Sequence, residues 1–196
     1  MRRSIQLCLL ILCCVLAASG QSLSNRRAPG FSLPDMNMRQ HDLQDFRGKL
    51  VLLNIMQTTC PHCNVFSKIL AEAEKKYKGQ VQVIDIVSTP PETQATVRDY
   101  LLRNGISQLV LFDCRQVAIS YLKLTPQKPS FGVPHLFVID QKGWIQADYG
   151  YSPANKGIFE GDALFPIIEK YLGKGASAQA VDLSEDLGNK DLGAGF

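Results

Sequence analysis

The run Leu50 to Met56 (LVLLNIM) constrains this chain more than any other segment, because it is almost wholly apolar and ends just before Thr59-Cys60-Pro61-His62-Cys63. A strand with one wet face alternates apolar and polar residues, so an unbroken run reads as a strand buried on both faces. After it, Pro61 to Tyr77 carries Phe66, Ile69, Leu70, Ala73 and Tyr77 along one helical face. Two cysteines therefore sit where a buried strand hands over to a helix N-terminus. Unpaired backbone N–H groups and the helix dipole stabilise an anion there, and for cysteine that anion is a thiolate.

The same alternation continues downstream. Gly79 breaks the chain and Val81 to Val87 (VQVIDIV) forms a second expected strand. Pro90-Pro91 opens a helix through about Leu102, closed by Asn104-Gly105. Leu109 to Phe112 is a third strand and Gln116 to Leu122 a short helix. A loop from Thr125 to Gly132 leads to a fourth strand, His135 to Ile139. After the turn Asp140-Gln141-Lys142-Gly143, Trp144 to Tyr149 pairs back as a fifth. Asp162 caps a last helix ending at Leu172, with Pro166 inside its first turn, where proline is tolerated. Ahead of the main body, Phe31, Leu33, Leu43 and Phe46 alternate with polar residues and predict a hairpin-like lead-in. Strands alternating with helices predict an α/β fold with a central mixed, mostly parallel sheet, to which the 135–149 hairpin adds an antiparallel edge. That gives one domain over residues 29–172, a polar leader over 21–28 and a disordered tail over 173–196.

Residues 1–20 read as an export signal, with Arg2 and Arg3 as the basic region, Ile5 to Ala18 as the apolar stretch, and small residues at Ala18-Ser19-Gly20. The apolar stretch is short of the roughly 20 residues that cross a bilayer as a helix. An uncleaved N-terminal membrane anchor is the alternative. Removing this segment lowers the formal charge from +3 to +1, which leaves nothing basic enough for nucleic acid. It also removes Cys8, Cys13 and Cys14, leaving Cys60, Cys63 and Cys114. Three cysteines are too few for a disulfide-stapled scaffold, so in a periplasmic or otherwise exported chain the C-x-x-C reads as a catalytic pair.

With Pro61 in the first helical position, Cys60 becomes the cap residue and Cys63 lies one turn further on. Cys60 is then the outer, attacking thiolate and Cys63 the sheltered, resolving thiol. Attack on a substrate disulfide gives a mixed disulfide that Cys63 resolves, and the reverse sequence oxidises a dithiol. Pro61 and His62 are the expected redox-tuning residues, because an imidazolium between the cysteines stabilises the thiolate. A structural zinc site needs two further ligands, but His41, His62 and His135 are scattered singly, so no metal and no cofactor is expected. Cys114, after the third strand, is either a third redox thiol or a small half-buried residue.

These residues together resemble the thioredoxin-like superfamily, specifically exported thiol–disulfide proteins of the TlpA/ResA type, which are related to the AhpC/TSA group. The resemblance runs from about Ala28 to Leu172. It rests on Ala28-Pro29-Gly30-Phe31-Ser32-Leu33, Arg47-Gly48-Lys49, the CPHC, Gly132-Val133-Pro134 before His135-Leu136-Phe137-Val138-Ile139-Asp140, and Gly143-Trp144-Ile145. It implies a thioredoxin-like fold with an inserted helix–strand unit between Pro90 and Phe112. It also implies a cis bond before Pro134, and a substrate segment laid against the Val133 backbone and Pro134. The implied partners are cysteine-containing protein substrates, apocytochromes among them, and a membrane electron donor or acceptor. Some relatives carry a glutamate where this chain has Phe66, and plain thioredoxin has a buried aspartate where this chain has Asn54. The resemblance therefore leaves Cys63 without an obvious carboxylate and the direction of electron flow open. A peroxiredoxin-like peroxidase and a copper-binding thioredoxin-like chaperone are the competing activities.

Overall fold

A computed structural model describes residues 23–173, and the expected export signal and the residues from 174 onward lie outside them. The described residues form eight strands: β1 (Arg26–Arg27), β2 (Ser32–Pro34), β3 (Gln40–Asp42), β4 (Leu50–Met56), β5 (Val81–Ser88), β6 (Leu109–Asp113), β7 (His135–Ile139) and β8 (Trp144–Gly150). The helices are α1 (Pro61–Lys76), α2 (Gln94–Asn104), α3 (Gln116–Leu122), a single turn α4 (Lys156–Phe159) and α5 over 164–173. Six strands form one sheet in the order β1-β8-β7-β4-β5-β6, and β2 pairs with β3 as the expected lead-in hairpin.

The sheet is mixed. β4, β5 and β6 run parallel, while β7, β8 and β1 continue it antiparallel. The β7–β8 hairpin does not end the sheet. Arg26 and Arg27 pair with Ile145 and Trp144, so the end of the segment expected to be a leader is an edge strand. Backbone bonds from Asn25 N–H to the Ile145 carbonyl and from Ala28 N–H to the Gly143 carbonyl tie it down, and Ala28 is buried. α2 begins later than expected. Pro90 and Pro91 both follow cis bonds, and the helix starts after Thr93, whose hydroxyl accepts the Thr96 N–H. Gly105, at φ 65°, closes α2 in the left-handed conformation that glycine adopts without a Cβ penalty.

All seven residues of β4 are buried, and their alternation sorts the core into two faces. Val51, Leu53 and Ile55 join Ile84, Ile86, Tyr121 and Phe137 beneath α3 and the lead-in hairpin. Leu50 and Leu52 join Phe66, Leu70, Val81, Val83 and Ile168 beneath α1 and α5. At the carboxyl end of the same face, Met56 and Val87 pack with Cys63, Val97 and Tyr100, so α1 and α2 cover that end together.

Candidate active site

Cys60 is the N-cap of α1, with extended backbone (φ −76°, ψ 120°), and Pro61 fills the first helical position. The Cys60 Sγ accepts the Cys63 N–H at 3.3 Å, one of the donors that a helix start leaves unpaired. Both cysteines are free thiols, Cys60 partly exposed and Cys63 fully buried. Burial, reinforced by the neighbouring Cys60 sulfur, pushes the Cys63 thiol far above its ordinary value. One sulfur meets solvent while the other is held as a thiol.

The loop before Cys60 is pinned from the inserted unit. Buried Glu92 accepts the Thr58 N–H at 2.8 Å and the Thr58 hydroxyl at 2.8 Å, and the Thr96 hydroxyl at 2.6 Å. Arg103 Nη2 donates to the Thr58 carbonyl at 3.3 Å. Asn64 Nδ2 donates to the Cys60 carbonyl at 2.8 Å, and Asn104 Nδ2 donates to Asn64 Oδ1 at 2.8 Å. α2 and its approach thus hold the cysteine loop directly through Glu92 and Arg103, and through Asn104 by way of Asn64. No motif marks Glu92 in the sequence, although an acid placed directly after Pro-Pro and before a helix cap is the signal that was there to weigh.

The Val133–Pro134 bond is cis, and the Cys60 thiol lies 3.9 Å from the Val133 carbonyl. The Pro134 carbonyl accepts the Tyr151 N–H at 3.1 Å, which ties this loop to the end of β8. Beside Val133 opens a cleft of about 470 Å³, lined by Gln57, Pro90, Pro91, Arg115, Phe131 and other loop residues. The structure therefore brings Cys60, Pro61, Cys63, Val133 and Pro134 together. His62 is exposed and stacks on Tyr151, with ring centroids 4.1 Å apart. His135, the histidine a copper site would recruit, stacks on Phe137 and lies 3.5 Å from Asp148. Among the described residues, no three His, Cys, Asp or Glu side chains are grouped to hold a metal ion. Cys114 is exposed, after β6, beside Asp113, whose carboxylate accepts the Gln116 and Val117 N–H groups at the start of α3.

A buried carboxyl group that the sequence reading did not single out acts electrostatically on Cys63. Asp85 is fully buried on β5, directly opposite Asn54 in the β4–β5 register. Asn54 Nδ2 donates to Asp85 Oδ1 at 2.7 Å. Burial pushes the Asp85 carboxyl up to about 7 against the pull of that hydrogen bond, and the charge of Glu74 adds to the rise. Its mark in the sequence is an acid inside an otherwise apolar strand, VQVIDIV.

The family model of the AhpC/TSA family matches residues 25–148. The chain belongs to the AhpC/TSA family. It is similar to the thioredoxin-like protein YneN of Bacillus subtilis, 27% identical over 62% of this chain and 68% of that protein. It is also similar to the thiol-disulfide oxidoreductase ResA of the same organism, 28% identical over 70% of this chain and 78% of that one. Among solved structures, a putative thiol:disulfide interchange protein DsbE from Chlorobium tepidum matches with a TM-score of 0.57 at 23% identity, covering 74% of this chain and 97% of that one. A putative protein disulfide isomerase from Bacteroides thetaiotaomicron matches at 0.63 and 19% identity, over 81% and 99%. The fold is thioredoxin-like, and the chain is a thioredoxin-like member of the family, of the TlpA/ResA type.

Proposed function

We propose that this chain is an exported thiol–disulfide oxidoreductase that reduces disulfides in extended, cysteine-containing protein segments. The observation that carries the reading is the asymmetry of the pair: a capping, solvent-touching Cys60 over a buried Cys63 thiol. Cys60 attacks the substrate disulfide, and Cys63 resolves the mixed disulfide. The segment around the substrate cysteine lies along the Val133 backbone and Pro134 and extends into the adjoining cleft toward Arg115.

The reducing direction is supported by what surrounds the sulfurs. A strong oxidant is one whose reduced, thiolate form is heavily stabilised. Here the Cys60 sulfur receives one backbone N–H, the adjacent imidazole rests on Tyr151, and Cys63 is held as a thiol by burial. The potential should lie nearer the thioredoxin value of about −270 mV than the value of about −120 mV of a dedicated oxidant. A membrane-bound dithiol donor is the partner class that would restore the reduced pair, and apocytochrome cysteines are a substrate class of fitting chemistry. The residue 1–20 segment would deliver the protein to the periplasm.

Equilibration with a dithiol buffer, read by alkylation of the free thiols, measures the potential. Cys60→Ser should abolish exchange, while Cys63→Ser should accumulate mixed disulfides with envelope proteins. A pair that never equilibrates with the buffer would overturn the assignment.

A further inference from the structure

We propose that Asp85 is the proton acceptor for the Cys63 thiol, acting from β5, the strand next to the one that carries Asn54. The proposal rests on the exchange reading above and names a residue that performs part of it.

Geometry carries the assignment. The β4–β5 pairing is parallel, and its register sets Asn54 against Asp85 and Met56 against Val87. Side chains alternate along a strand, so Asp85 shares its face with Val83 and Val87. Those two pack with α1 and with the Cys63–Tyr100 cluster, which places Asp85 in the layer under α1. The negative charge of Asp85 is felt at both Cys63 and Tyr100. The remaining titratable group that bears on Asp85 is Glu74 of α1, whose own carboxyl is raised by burial. No lysine or arginine is among the groups that shift Asp85. Around the site, the Ser67 hydroxyl donates to the Cys63 carbonyl at 2.6 Å and also meets the Tyr100 hydroxyl, and Gln108 Nε2 donates to the Ser67 carbonyl at 2.8 Å.

Two orphaned acceptors point to a proton. Asn54 Oδ1 and Asp85 Oδ2 are both buried without a hydrogen-bond partner, although the two side chains already share the bond from Nδ2 to Oδ1. A buried acceptor left unpaired is destabilising. One proton on Asp85 Oδ2 turns an orphaned acceptor into a donor and neutralises the buried charge. A carboxyl pushed up to about 7 gains and loses that proton near neutral pH.

The step balances as follows. In the Cys60–substrate mixed disulfide, the Cys63 thiol gives its proton to the Asp85 carboxylate. The freed electron pair on the Cys63 sulfur attacks Cys60 Sγ, the Cys60–Cys63 bond forms, and the Cys60–substrate bond breaks. The electron pair of that bond leaves on the substrate sulfur as a thiolate. Across the whole reaction, the protein dithiol is oxidised to a disulfide and the substrate disulfide is reduced to two thiols. In reverse, protonated Asp85 returns the proton to Cys63 as the mixed disulfide forms again.

The test uses the full chain charged with thionitrobenzoate as a mixed disulfide on Cys60, release of the coloured thiol reporting the attack by Cys63. In the wild type, release should accelerate with pH through an inflection near 7. Asp85→Asn should slow it by about 10²-fold at pH 7 and move the inflection upward, with Asp85→Glu restoring part of the rate. Alkylation of Cys60 in the reduced protein should change by less than about two-fold, a split that a general loosening of the fold would not produce. Should neither variant fold, the carboxyl-carbon NMR titration of Asp85 in the wild type decides. A midpoint near 7 that moves when Cys63 is replaced by serine supports the assignment, and an ordinary aspartate midpoint overturns it. An unchanged release profile in Asp85→Asn overturns the assignment while leaving the exchange activity standing. A wild type that releases no thionitrobenzoate overturns both.

Discussion

The layer beneath α1 has two ends built on opposite principles. At the amino ends of β4 and β5, Leu50, Leu52, Val81 and Val83 meet Phe66, Leu70 and Ala73, an apolar contact among residues nearly inaccessible to solvent. Toward the carboxyl ends, under the first turns of the same helix, the buried set includes Asn54, Asp85, Ser67 and Cys63. The strands are continuous through both ends, so the difference is chosen residue by residue. Apolar burial at one end provides the stability that lets a carboxyl group be buried without a cationic partner at the other. The proposed chemistry falls where unpaired helix N–H groups and the carboxyl ends of parallel strands converge.

Breaking the apolar end should have the largest effect. Phe66, packed edge-on against Phe159 with centroids 4.7 Å apart, is fully buried, so Phe66→Ala should cost about 3–5 kcal/mol in urea unfolding. The pH dependence of exchange should be unaltered, and a shifted profile would mean the two ends are not separable.

At the polar end the expected effect is a slope in pH. The unfolded chain releases the Asp85 proton near its ordinary value, whereas the folded chain holds it to about 7. Between those values the unfolded state carries fewer protons, so stability falls as pH rises through that window and levels off above it. Glu74 and Asp113, also raised by burial, add slope of the same sign. Asp85→Asn should remove the Asp85 share, on the order of a few kcal/mol in favour of the variant at pH 8. Unfolding series at pH 5 and pH 8 measure it, and equal slopes in both proteins would show that Asp85 is ionised throughout.

The smallest expected effect is at the rim. The ring of His62, the expected redox tuner between the cysteines, lies on Tyr151. His62→Ala should therefore shift the potential by less than about 30 mV. A larger shift toward reducing values would restore the tuning role.

Most of the fold was legible because its segments carry their own signals. The bounds of β4, α3 and β7 match the expected ones, since continuous apolar runs and periodic faces are local properties. The start of α1 was equally legible, because proline at the first helical position and a capping cysteine need no distant partner. β1 was not: Arg-Arg has no apolar pattern, and its strand exists only because β8 offers an open edge. Glu92 carries no local motif, because the Thr58 N–H that it accepts lies 34 residues away in the chain.

By itself, the sequence determined the alternation of strands and helices, the capping Cys60 and the one-turn spacing to Cys63. Each follows from hydrophobic period or from the place of proline at a helix start, and these act over a few residues, whereas the cis bond before Pro134 was implied only by the family resemblance. Only the tertiary structure decided that a buried carboxyl group, Asp85, shares the layer under α1 with Cys63. That depends on the register of two parallel strands 31 residues apart, in which Asn54 occupies one position and Asp85 the neighbouring one. Register is set by how the whole core packs, and a single polar residue in an apolar strand cannot announce which partner it will face.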